Sequence, residues 1–184
     1  MHAAFKQCMH QIRNRLAIGL FGGAAGLLVM EIVRRATAPL MSRAPKPTDP
    51  RLTERTISLV GPQHRRDESS TDALGRLAYA KLTGREPSPA AKRALSWAVH
   101  IGYGLLVAAG YAALRGGATR HALRDGALFG TGLWLLGDEV AVPLLGLADK
   151  PTAYPPSRHA QSLAQHLGFG IATAATAHAA GDWR

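Results

Sequence analysis

Between Leu16 and Val33 the chain reads LAIGLFGGAAGLLVMEIV, an apolar run interrupted by one charge, Glu31. As a helix rising 1.5 Å per residue, such a run is about 27 Å long, enough for the hydrocarbon layer of a bilayer. A segment in lipid must bond its own backbone groups, and a helix does this within one segment. Lys6, Arg13 and Arg15 precede the run, and Arg34-Arg35 follow it. Basic residues ahead of apolar ones imitate a signal peptide, and Ala24 and Ala25 add small residues to the likeness. The run continues past them, however, and the arginine pair closes it as a span. A retained first transmembrane helix is expected over about residues 16–35.

Three more apolar segments follow, and most of the 22 lysines and arginines fall between them. The expected fold is an all-α integral membrane protein, a single domain with four transmembrane helices in a bundle. The spans lie at about 16–35, 94–114, 120–147 and 158–179, with a basic connector over 36–92. The net charge of +10 borders spans rather than lining an aromatic-studded surface, so the partners it implies are anionic lipid headgroups and not nucleic acid. One cysteine, Cys8, excludes an intramolecular disulfide and Cys-rich metal sites. The sequence holds no GxGxxG, Walker, HExxH or CxxC motif and no nucleophile elbow.

Boundary residues refine the spans. Ser88-Pro89 starts the second helix and Arg115-Gly116-Gly117 ends it, while Thr119 can cap the third, which Pro143 should kink or end. Ser157 can cap the fourth, whose Ala, Thr and Gly content suits a helix surrounded more by protein than by lipid. Within the connector, two short amphipathic helices are expected. Thr48-Asp49-Pro50 opens one that Gly61 stops, and Ser70-Thr71-Asp72 opens another that Gly84 stops. In the second, Leu74, Leu77, Ala78 and Leu82 share a face beside Arg76, Lys81 and Arg85. That pattern fits a helix lying on an anionic membrane surface, or a connector packed on its own protein.

Small residues indicate close packing. Gly19 with Gly23, and Gly22 with Gly26, are small-xxx-small pairs that let another helix reach the backbone, within the chain or in a homo-oligomer. Gly126, Gly130, Trp134 and Asp138 also step by four.

Four alternating spans place Glu31, His100, Asp138, Glu139 and His166 toward one side of the membrane. The proposed polar intramembrane cluster consists of these five. A carboxylate near the bilayer centre costs about 2.5–3.5 kcal/mol by insertion scales, so such groups pair or line a wet cavity. Asp138 and Glu139 point about 100° apart on a regular helix, and Asp138 is favoured as the inward one. Three roles stay open: a hydrogen-bonded cluster that fixes packing, a path for protons or a small solute, and a cofactor or metal site. The last would be metal held by these histidines and carboxylates, or haem between His100 and His166. Glu-x-x-His, the usual di-iron signature, is missing.

Counted by side, seven basic residues accompany the termini and fifteen the connector, which favours a cytoplasmic connector with both termini outside. The segments GLFGGAAGLLVMEIVRR, GTGLWLLGDEVAVPLLGL and PTAYP, with His159 and SLAQHLGFG, together resemble the YagU-like family of bacterial inner-membrane proteins. The matching motif residues are Trp134, Asp138, Glu139, Pro143, Gly146, His159, Ser162, His166 and Gly170. What the resemblance implies is a multi-pass inner-membrane protein without an established enzymatic activity, and a place in proton or envelope homeostasis under acid stress.

Overall fold

The computed structural model describes residues 2–41, 57–115 and 121–180. Their regular structure is entirely helical. The elements are α1 (His2–Met41), α2 (Ser70–Thr83), α3 (Pro89–Arg115), α4 (Ala122–Leu133), a π-helix (Trp134–Ala141), α5 (Val142–Leu144), a 3₁₀ turn (Pro151–Ala153) and α6 (Pro156–Ala179). Three helical stretches are long and apolar enough to cross a membrane: Phe5–Leu40, Pro89–Arg115 and Ala122–Leu144. The fourth expected span coincides with α6, which is helical but is not among those three. The connector helix expected from Thr48 lies largely outside the described residues, as does the Thr119 cap; residues 57–61 are irregular.

The chain divides into two compact units. One comprises Met1–Pro39, Tyr103–Gly132 and Gln161–Arg184, and the other Leu40–Gly102 and Leu133–Ala160.

In the first unit, small residues replace the usual apolar interdigitation. A Cβ on Gly19 would lie 2.6 Å from the Ala109 Cα, and one on Gly23 would lie 2.8 Å from the Ala108 Cβ, so this face of α1 touches α3. Gly22 and Gly26 sit against Thr173 and Phe169 of α6 in the same way. The buried Thr173 hydroxyl donates to the Gly22 carbonyl at 3.2 Å. Both glycine pairs are therefore occupied within the chain, leaving a homo-oligomer to use some other face. Gly126 and Gly130 of α4 meet Gly170 of α6 backbone to backbone. Phe129 stacks on Tyr111 at 4.3 Å and tilts against Phe169 at 6.0 Å. At the start of α4 the buried Asp125 carboxylate is paired with Arg115, and Arg124 approaches at 3.6 Å.

In the second unit, α2 begins at a capping box in which Ser69 and Asp72 satisfy each other's backbone amides, and it ends at left-handed Gly84. It packs on α3 through Gly75 against Leu95 and through a 2.9 Å hydrogen bond between Thr71 and Ser96. The face in contact is not the leucine face. Ala73, Gly75 and Arg76 are buried, whereas Leu74 is 44% and Leu82 86% exposed. Glycine permits the close approach, and Arg76 remains affordable there because Glu68 meets it.

Candidate functional site

Around residues 139–159 several polar groups converge within the second unit. Their geometry begins with Pro143, which offers no amide donor and whose ring would press on the carbonyl four residues earlier in a regular helix. Ahead of it the helix widens to π geometry, with the Val142 amide donating to Gly137, five residues back. A π segment re-aims side chains relative to α spacing, and the Glu139 carboxylate reaches His159 Nδ1 at 2.6 Å. His159 Nε2 donates to the Pro151 carbonyl at 3.0 Å. The ring also lies edge-on to Tyr154, over whose face Arg158 sits at 6.0 Å.

That pair fixes a proton count. A carbonyl cannot donate, so Nε2 carries hydrogen and Nδ1 faces a carboxylate oxygen at hydrogen-bond distance. Either the ring is an imidazolium or Glu139 is protonated; in both forms the pair holds one proton more than neutral imidazole plus carboxylate.

The turn after α5 is the second centre. Gly146 adopts φ +71°, and its carbonyl receives the Gln63 amide at 2.8 Å, the His64 amide at 3.0 Å and His64 Nδ1 at 2.9 Å. A Cβ on Gly146 would strike the Gly61 carbonyl. Leu144 accepts from the Leu59 amide at 2.9 Å and the Ser58 hydroxyl at 3.2 Å, which ties residues 58–64 to the turn. His64 Nε2 lies 3.4 Å from Asp149 Oδ1. The Asp149 amide in turn donates to the Tyr154 hydroxyl at 3.1 Å.

Beside this turn a buried ion triad fastens the connector. Glu68 is 1% exposed and binds Arg76, at 2.8 Å, and Lys92, at 2.7 Å. Arg76 also donates to the Gln63 carbonyl at 2.6 Å. The Arg76 guanidinium, more than any other neighbour, holds the Glu68 carboxyl at a pKa of about 2 against the ordinary 4.5.

The expected cluster residues occupy distinct settings. Glu31, in the first unit, pairs along its own helix with Arg34 and Arg35 at 2.6–2.7 Å. His166, in the same unit, has Nδ1 2.9 Å from the Ser162 carbonyl one turn back. His100, in the second unit, meets Trp97 edge-on at 6.2 Å. Asp138 is half-buried, and its neighbour Glu139 is the carboxylate that reaches His159. Trp134, where the π-helix starts, keeps a buried Nε1 without a hydrogen-bond partner. Among the described residues, no three His, Cys, Asp or Glu side chains are grouped as ligands for a metal ion.

No family model, curated protein or solved structure matches the chain.

Sequence reasoning passed over His64, Asp149 and the Glu68–Arg76–Lys92 triad. Their partners lie in other elements, up to 85 residues away in sequence, and no local pattern announces them. His159 did carry a signal, since it shares a helical face with Ser162 and His166 and belongs to the motif that also contains Glu139.

Proposed function

We propose that the chain is a non-enzymatic, multi-pass protein of a bacterial inner membrane that takes up and releases protons at the connector-side ends of its helices, in the service of proton and envelope homeostasis. The observation that carries this reading is the 2.6 Å contact of His159 with the Glu139 carboxylate, which sits in a stretch apolar enough to cross a membrane. Ionisable groups retained at such positions serve proton relays in membrane proteins. Asp138, adjacent on the same π segment, and His100 in the same unit are further groups through which protons would pass.

Four crossings are part of the proposal. α6 touches α1 and α4 at backbone distance, and both of those belong to stretches apolar enough to cross. A helix packed on two spans shares their depth, and protein contacts compensate for its lower hydropathy. On α2, Leu74 and Leu82 point outward with Lys81 and Arg85 nearby, which suits contact with anionic headgroups.

Proton flux into liposomes driven by a pH gradient tests the reading. The protein should accelerate flux over empty liposomes, and Glu139→Gln and His159→Gln should each slow the added component at least about tenfold, the scale of one removed relay group. Flux equal to that of empty liposomes would falsify it.

A further inference from the structure

We propose that the first third of α1 is a lipid-binding helix that lays an apolar stripe on an anionic membrane surface. α1 has 40 residues, about 60 Å at 1.5 Å per residue, against about 30 Å of hydrocarbon. With residues 16–33 filling the hydrocarbon, residues 5–15 lie beyond it. Every side chain from Phe5 to Asn14 is exposed, and Gly19 is the first buried residue of α1 among those described. At about 100° per residue, Phe5, Met9, Ile12 and Leu16 fall within about 60° of one another. Their stripe runs on into Gly19 and Gly23, which α3 covers. α3 stops at Arg115, shortly past the Ala112 that meets Gly19, and the stripe continues without it, Phe5 at 68% and Met9 at 51% exposure.

Charge selects the occupant. Lys6 and Arg13 stand about 70–90° to one side of the stripe's midline and Arg15 about 90° to the other, while Gln7 and Asn14 face away. Cations on both edges of an apolar stripe suit a helix lying in the interface, with its stems along the acyl boundary and its charges among phosphates. No Asp or Glu occurs before Glu31. A second copy of the stripe would bring more cations and no counter-charge, and four apolar side chains fall short of the roughly 20–30 residues a side of a stable protein interface. Anionic headgroups supply the missing sign, and the span that begins at Leu16 holds the stripe beside them. α1 reaches the surface by bending between Arg15 and Gly19, where no side chain is buried to resist it. Lipid binding by this stripe rests on α1 crossing the membrane, as in the proposed function, and not on proton movement.

Full-length protein in nanodiscs tests this through a nitroxide on Cys8, the only cysteine, which is exposed and lies on the Arg15 edge of the stripe. The ratio of its collisions with oxygen to those with a water-soluble nickel chelate should rise at least about fivefold when phosphatidylcholine is replaced by a mixture with about one-third phosphatidylglycerol, the worth of one basic residue at such a surface. Salt at about 1 M should reverse the rise. Lys6→Gln/Arg13→Gln/Arg15→Gln should abolish it. In Cys8→Ser/Asn14→Cys, a nitroxide on the opposite face should stay in water in both lipids. Equal ratios in the two lipids overturn the assignment without recourse to any variant, and so does an Asn14 nitroxide that enters lipid together with Cys8. Dipolar broadening between the Cys8 nitroxides of two copies overturns it as well, by giving the stripe to a second copy. Burial of Cys8 in anionic lipid, in a protein that moves no protons into liposomes, would remove the proposed function and leave the stripe on its lipid. Proton flux with Cys8 in water would do the reverse.

Discussion

Arg76 shows how a single buried charge is made tolerable, and at what pH it stops being so. Its guanidinium meets Glu68 and the Gln63 carbonyl, and removing one member of such a pair strands the other without water. Glu68→Ala should therefore lower stability by about 3 kcal/mol, read as a fall in the unfolding midpoint. The folded carboxyl titrates near 2 instead of 4.5, so the sign follows from linkage. The pair's contribution is complete above about pH 4.5, declines as pH falls, and is spent by about pH 2; its full size is on the order of 3 kcal/mol. The stability gap between wild type and Glu68→Ala should shrink over that window, and a gap that stays constant down to pH 2 contradicts the assignment. Two glycines offer a sharper comparison. Gly61 (φ +81°) faces open space, whereas the Gly146 position is walled by the Gly61 carbonyl. Alanine at Gly61 should cost about 1 kcal/mol of left-handed strain. At Gly146 the same change adds a backbone clash and should cost more than about 2 kcal/mol. Their difference in cost is not legible in the sequence, because it arises from a contact between segments more than 80 residues apart.

At the scale of elements, helix identity was the most legible property. The apolar runs, Ser88-Pro89, Ser70-Thr71-Asp72 and Gly84 lie where helices begin and end, with Ser69, one residue before the expected opening of α2, as its actual cap, since capping is a local matter of orphan amides and carbonyls. Gly126 and Gly130 share a helical face by their spacing, and the fold adds that this face meets α6 backbone to backbone. Valine at Gly130 would drive a side chain into the His166 carbonyl, whereas Gly132 has open space around it. Gly130→Val should therefore cost at least about 3 kcal/mol and Gly132→Val under about 1 kcal/mol, measured as unfolding in detergent. Equal costs would mean that α4 and α6 do not meet here. The orientation of α2 was not legible. Leucine spacing selected the face carrying Leu74 and Leu82, but the partner surface on α3 favours the narrower Gly75 side, and tertiary contact prevailed over amphipathic pattern. Nor was the π-helix. Pro143 marked the end of a helix without specifying the wider turn that carries Glu139 toward His159.

For the molecule as a whole, the number of membrane crossings separates the alternatives most cleanly. Four crossings place residues 116–120 and the C-terminus on one side, opposite the connector; three place them on opposite sides. Reporter fusions at both points should report the same side, and a split result would remove α6 from the membrane-crossing set. Composition made the membrane assignment readable, because apolar and basic residues are segregated along the chain. The polar chemistry was less readable, since its pairs join separate elements. The docking of residues 58–64 on the Leu144–Gly146 turn also has a consequence for biosynthesis. Ser58 and Leu144 are 86 residues apart, so at about 5–20 residues per second the ribosome takes on the order of 10 s to deliver the second after the first. Over that interval α2 can cap itself and Arg76 can find Glu68, eight residues earlier, while the amides of Leu59, Gln63 and His64 wait in water for carbonyls not yet made.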